Sequence, residues 1–220
     1  MVNCNIMKTE KNRCPWCLGD SDYMKYHDRE WGKPQRNGQK LFEFLVLEGA
    51  QAGLSWITIL KRRENYRAAF DNFDPEKIAR YGGKDIKRLL EDPGIIRNRL
   101  KINSAIGNAR VYLEMEEAGT GFSKWLWNRV DNEPIVNHWK TMKEIPASTK
   151  LSEEISKDLK KLGFTFVGPT IIYAFMQAAG FVNDHLIDCY RWAECSPAHS
   201  SIRSSASARR ARDVPKLSLT

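Results

Sequence analysis

The sequence predicts an all-α protein, on three observations. Apolar residues recur at helical spacing through most of the long segments, helix start and stop signals are explicit, and no stretch alternates apolar and polar residues as a strand would. The first helical segment runs from Leu41 to Phe70 without proline, with Leu41, Phe44, Leu45, Leu47, Leu54, Ile57 and Leu60 on its apolar stripe. Asp74-Pro75-Glu76 opens a short helix with a capping aspartate, a proline in the first helical position and an acidic first turn, and Gly82-Gly83 ends it. A long amphipathic helix is expected over Ile95 to Ala118, stopped by Gly119. Ser152 begins another, with Ile155, Leu159 and Leu162 on one face, and Gly163 closes it. Pro169 opens the last, which reaches Gly180. The surrounding apolar run, Phe166 to Val182, is interrupted by Gly168, Pro169, Thr170 and Gln177 and reads as a core helix, not a membrane span.

The chain's 220 residues fit one domain with a core of ordinary size. The expected organisation is a short polar extension over 1–11, a domain over 12–195, and a basic Ser/Arg tail over 196–220. The tail carries too little aromatic and branched content to pack and is expected to be disordered. The net charge of +8 suits a polyanionic partner, but Arg203, Arg209, Arg210, Arg212 and Lys216 against Asp213 put half the excess in the tail. Charge alone therefore does not identify a DNA binder. Five cysteines, an odd number, and no apolar stretch of signal-peptide length within Met1 to Arg13 argue against a secreted disulfide scaffold. The expectation is a reduced, cytoplasmic, soluble protein.

Cysteine and histidine gather at two distant places: Cys14-Pro15-Trp16-Cys17 with His27, and His185 with Cys189. If His185 and Cys189 lie on a helix, four residues apart, both face one ion. Zinc takes thiolate and neutral imidazole tetrahedrally, and a closed set of four is structural. Cys14, His27, His185 and Cys189 make such a set, with Cys17 as the rival first ligand. Such a site would staple the two ends of the domain together. Core packing of the same residues, or a redox role for the Cys14/Cys17 pair, stays open on spacing alone.

Leu159 to Thr170 reads as helix, tight turn, helix. Gly163 makes the left-handed stop, Gly168 permits close approach of a partner, and the amides from Gly168 to Thr170 suit a phosphate oxygen. Lys160 and Lys161 flank the turn. An ordinary antiparallel helix pair fits the same residues. Glu48 stands among Phe44, Leu45, Leu47 and Leu54, either on the helix's polar stripe or buried with a purpose.

Taken in chain order, several blocks resemble the DNA-3-methyladenine glycosylase I family of the helix-hairpin-helix superfamily. They are Arg13-Cys14, Tyr26 to Gly32, Leu47 to Trp56, Gly94 to Arg97, Gly163 to Thr170, and Val182 to His185, together covering roughly 13–190. The resemblance implies one structural zinc on Cys14, His27, His185 and Cys189, leaving Cys17 spare. It implies that Glu48, Tyr26 and Trp56 read the alkylated base, with Glu48 also the candidate catalytic group. The hairpin falls on Leu159 to Gly180, with Gly163, Gly168 and Thr170 against DNA. Asp184 lies where many superfamily relatives keep a catalytic aspartate, but it adjoins a zinc ligand and this family is thought not to rely on it. The implied activity is excision of 3-methyladenine from double-stranded DNA, leaving an abasic site without strand cleavage, by a monomer with no membrane attachment. The expected recognition is of a cationic base held between the faces of Tyr26 and Trp56 and paired with ionised Glu48.

Overall fold

The computed structural model describes residues 11–196. Eleven α-helices and one pair of two-residue strands make up its main elements. Helix α1 (Ser21–Arg29) starts where the Asp20 side chain accepts hydrogen bonds from the amides of Asp22 and Tyr23. Helix α2 (Gly38–Gln51) starts at Asn37, whose side chain accepts from the Lys40 amide. Residues 41–50 of α2 are all buried, so this helix is surrounded on every side and forms the axis of the domain.

The single helix expected from Leu41 to Phe70 is three: α2, α3 (Trp56–Leu60) and α4 (Arg63–Ala69). Ala52 leaves helical geometry, Gly53 takes φ +78°, and the Leu54 amide closes a turn on the Gln51 carbonyl. Lys101 supplies donors to the carbonyls this break exposes: its Nζ lies 2.8 Å from Ala50 O and 2.7 Å from Ala52 O. The break turns the chain so that Trp56 returns toward α1.

Helix α5 (Pro75–Ala79) has the aspartate cap and leading proline expected at Asp74-Pro75. After α6 (Gly83–Glu91), α7 (Arg99–Glu117) begins at Arg99, not Ile95, because the Asn98 side chain caps the Lys101 amide. Helix α8 (Phe122–Trp127) leads to β1 (Ile135–Val136), then come α9 (Lys150–Lys161) and α10 (Pro169–Ala178), close to the expected bounds. Strand β2 (Val182–Asn183) pairs in parallel with β1, Ile135 opposite Val182. Neither strand was expected. Helix α11 (Tyr190–Glu194) is the last described element, and His185 to Cys189 form a turn before it, not the helix that would set them on one face.

Helix α10 packs against both α9 and α2, and α7 against α2, α5 and α6. Phe42, Leu45 and Leu47 of α2, Leu159 of α9 and Ile172, Tyr173 and Phe175 of α10 are buried in one core. Each such side chain contributes roughly 1.5–3 kcal/mol on burial. The two ends of the domain meet: the Tyr190 amide donates to Asn12 O at 3.0 Å, and Asn12 Nδ2 to Asp188 O at 2.9 Å. Gly180, at φ +72°, lies so near the Lys33–Pro34 backbone that any Cβ there would overlap it. No helix among the described residues is long and apolar enough to cross a membrane. Most of the extension, 1–10, and the tail from 197 onward lie outside the described residues.

Candidate active site

A cavity of about 360 Å³ opens between α1, the α2 C-terminus, α3 and α10. Glu48, Tyr26 and Trp56, far apart in sequence, all line it. Glu48 reaches it from the buried face of α2 and is 4% exposed. It makes no hydrogen bond or ion pair with any described residue. Arg63 sits over the Tyr26 ring, 6.0 Å from its centroid, but its guanidinium is engaged by both oxygens of Glu30 at 2.6 and 2.8 Å. Burial without a cation pushes the Glu48 carboxyl up to about 8. This favours the protonated form while the cavity is empty, whereas the expected ionised state belongs to the base-bound site.

The other two polar tips are equally alone. Tyr26 Oη and Trp56 Nε1 are buried and have no hydrogen-bond partner among the described residues. Burial, with Glu48 nearby, holds the Tyr26 hydroxyl well above its ordinary range, so it remains a donor. Native proteins leave few buried polar atoms unsatisfied, and two of them beside a carboxyl with no partner of its own, around one cavity, mark a place where a polar ligand completes the bonding. The rings do not form the expected sandwich. Their centroids are 5.4 Å apart and tilted by 44°, whereas a base between two faces needs roughly 7 Å at van der Waals contact on each side. They form a corner against which one flat ring can lie.

Further walls come from Trp16, Tyr23, Trp31, Gln51, Tyr173 and Gln177, residues that sequence reasoning left to the core or did not single out. A signal for two of them was present. Trp16 lies within the Cys14–Cys17 segment, and Trp31 is four residues after His27. Leu54 is 41% exposed on the loop just before Trp56.

Behind Trp16 and Trp31 lie the four cysteine and histidine residues. The ligand atoms of Cys14, His27, His185 and Cys189 all fall within 4.8 Å of one another, and all four residues are buried. The Cys14 sulfur is 3.6 Å from His185 Nδ1, and the Cys189 sulfur is 3.4 Å from His27 Nε2 and 3.6 Å from His185 Nδ1. A tetrahedral zinc with bonds of about 2.3 Å to sulfur and 2.0–2.1 Å to nitrogen sets such pairs roughly 3.5 Å apart. The outer ring nitrogens are held as well. His27 Nδ1 meets Asp28 Oδ1 at 3.0 Å, and His185 Nε2 meets the Trp31 carbonyl at 3.2 Å. Asp28 is itself gripped by Arg13, and this leaves the inner nitrogens free to ligate. Cys17 turns away, its sulfur donating to Cys14 O. The His27 ring stands edge-on to Trp16, and His185 edge-on to Trp31 at 4.6 Å, so the cluster braces one wall of the cavity.

Asp184 has the opposite environment from Glu48. Its Oδ1 accepts from Asn137 Nδ2 (2.7 Å) and Trp139 Nε1 (2.8 Å), and its Oδ2 from Tyr173 Oη (2.6 Å) and Gln177 Nε2 (2.7 Å).

At the hairpin, Gly163 takes φ +101° and Phe166 φ +54°, and Gly168 caps α10 with open space around its Cα. Pro169 has no amide hydrogen, so of the three expected donors only Gly168 and Thr170 offer one. Thr170 also lines the cavity, which places the hairpin at its mouth.

The model of the methyladenine glycosylase family matches residues 16–192. The Escherichia coli K12 protein DNA-3-methyladenine glycosylase 1 is 55% identical over 177 residues, 80% of this chain and 95% of that protein. A crystal structure of 3-methyladenine DNA glycosylase I superposes with a TM-score of 0.81 at 50% identity, covering 84% of this chain and 100% of that one. A tyrosine-to-phenylalanine variant of 3-methyladenine DNA glycosylase I, solved in complex with 3-methyladenine, superposes with a TM-score of 0.80 at 38% identity, covering 86% and 99%. By the extent of these matches, the chain belongs to the methyladenine glycosylase family.

Proposed function

We propose that the protein excises 3-methyladenine from alkylated double-stranded DNA, hydrolysing the N-glycosidic bond and leaving an abasic site. The observation that carries this reading is one aromatic-walled cavity at which Glu48 is buried with no partner among the described residues, beside the buried and unpartnered Tyr26 Oη and Trp56 Nε1. Methylation at N3 makes the base cationic and a good leaving group, so the enzyme's main task is to flip and hold it. In this role the base lies against the corner of Tyr26 and Trp56 and makes hydrogen bonds to the three groups. The entering cation lowers Glu48 from its raised value, so its proton leaves as the lesion seats. The carboxylate then accepts from the base's amine and stabilises positive charge developing at the sugar. Water attacks C1′, the base departs neutral, and the proton released by hydrolysis balances the one Glu48 regains.

Among the described residues no lysine lines the cavity, which favours hydrolysis over a Schiff-base lyase step. Gly163, Gly168 and Thr170 position the duplex through its phosphates, without reading sequence. Cys14, His27, His185 and Cys189 fit one zinc, which when bound would cross-link the two ends of the domain.

The test is incubation with methylated duplex and chromatography of the products. Free 3-methyladenine and an alkali-labile but unbroken strand are expected. No released base, or strand breaks without alkali, would overturn the reading.

A further inference from the structure

One face of α7 carries Lys101, Ser104 and Asn108, spaced so that all three point the same way. They are spent on the backbone of two loops, Lys101 on the one after α2 and Ser104 and Asn108 on the hairpin. Lys101 Nζ donates to Ala50 O and Ala52 O, at the point where α2 ends just beyond Glu48. Asn108 treats Thr165 as a strand partner would: its Nδ2 donates to Thr165 O at 3.0 Å, and its Oδ1 accepts from the Thr165 amide at 2.8 Å. Ser104 Oγ donates to Thr165 O at 3.2 Å and lies 2.8 Å from Thr165 Oγ1. Farther along the same face, Val111 approaches within 3.3 Å of where a Cβ on Gly163 would be. Where α2 and the hairpin meet directly, Gly49 sits against Phe166, with 3.3 Å between the place of a Gly49 Cβ and the Phe166 Cβ.

We propose that α7 sets the distance between the base cavity and the DNA-facing hairpin, with Lys101, Ser104 and Asn108 as positioning residues for excision. The inference rests on the glycosylase reading above. A flipped base has to reach Glu48 while its flanking phosphates are held at Gly168 and Thr170, so an error of about 1 Å between the two loops lowers the rate on DNA. A free base makes no such demand. The α2–α3 loop has only a glycine-containing turn of its own, and the hairpin loop holds Phe166 in a left-handed conformation that needs outside support. Lys101 is suited to the task because a cation complements the negative end of α2. The cost is borne by its ammonium, whose pKa burial pulls down.

The experiment compares wild type, Lys101→Met, Lys101→Arg and Asn108→Ala by single-turnover excision of methylated duplex. Free 3-methyladenine binding is followed in parallel by tryptophan fluorescence. Lys101→Met and Asn108→Ala are expected to lower excision about 10- to 100-fold while free-base affinity stays within about twofold, and Lys101→Arg to restore most of the rate. Excision within about twofold of wild type would overturn the inference, and so would an equal loss of excision and free-base binding. If Asn108→Ala does not accumulate folded, the Lys101 pair carries the test, since that side chain is only half-buried. A wild type that excises nothing overturns the glycosylase reading and this inference together. An active wild type matched by its variants overturns this inference alone.

Discussion

Glu48 and Asp184 are both carboxyl groups buried almost completely, 4% and 1% exposed, and Tyr173 and Gln177, which bond Asp184, line the same cavity as Glu48. Their neighbours treat them in opposite ways. Asp184 accepts four hydrogen bonds, two on each oxygen, which ties α10 to the β1 segment and the loop after it. Among the described residues Glu48 accepts none, and Tyr26 Oη and Trp56 Nε1 nearby are likewise without partners. The cysteine and histidine cluster belongs with Asp184: each histidine has its outer nitrogen fixed, and the four inner ligand atoms converge. Burial alone therefore does not separate structure from function in this molecule. The accounting of hydrogen-bond partners does so once it is joined to a cavity. Among the described residues Arg191 Nε is also buried without a partner, but Tyr26 Oη and Trp56 Nε1 stand with Glu48 around an open cavity.

The largest expected effect lies in the satisfied region. Cys189→Ser removes one of four converging donors and leaves the other three without a closed site. Its melting temperature is expected to fall by about 10 °C or more, and its zinc content from about one per chain to a small fraction. Metal analysis alongside calorimetry checks this. Unchanged melting with zinc lost would place the cluster with ordinary core packing. Because Trp16 and Trp31 lean on His27 and His185, free-base affinity should weaken as well.

Next comes Asp184→Asn. An amide NH₂ must then face two donors, Asn137 and Trp139 or Tyr173 and Gln177, and the substitution is expected to cost about 2–4 kcal/mol of stability by urea unfolding. A neutral result would mean that the four hydrogen bonds contribute little beyond an apolar replacement.

The smallest effect on stability has the opposite sign. Glu48 is raised from 4.5 to about 8 by burial. Between those values the folded state holds a proton that the unfolded chain releases, so wild-type stability falls as pH rises through that window. Glu48→Gln does not titrate. It is expected to melt like wild type near pH 4.5 and to become more stable than wild type by on the order of one to a few kcal/mol near pH 8. Melting curves at both pH values test this, and a mutant that is less stable at pH 8 would show that Glu48 has a partner in the fold.

Much of this was legible in the residues. The cap at Asp74-Pro75, the stop at Gly163 and the start at Pro169 were written locally, and the structure uses all three. The Cys14, His27, His185 and Cys189 set was visible because few residue types bind metals and they were sparse elsewhere. What was hidden depends on distant partners. The break after Gln51 relies on Lys101, fifty residues away, and its apolar spacing continues through the break without a change of period. The β1–β2 pair is two residues long, too short to show alternation. The turn over His185 to Cys189 brings the two side chains together as a helix would have done, so all four residues converge without a helix there. The protonation of Glu48 and the corner made by Tyr26 and Trp56 follow from three-dimensional neighbours alone.

The most direct measurement is a pair of titrations on wild type and Glu48→Gln near neutral pH, one with free 3-methyladenine and one with undamaged duplex. If the unsatisfied carboxyl is there to receive the base, Glu48→Gln should weaken 3-methyladenine binding at least about tenfold. Duplex affinity, which the proposed reading assigns to phosphate contacts at the hairpin, should stay within about twofold. Equal losses for the two ligands, or no loss for either, would contradict that role and assign Glu48 to the fold.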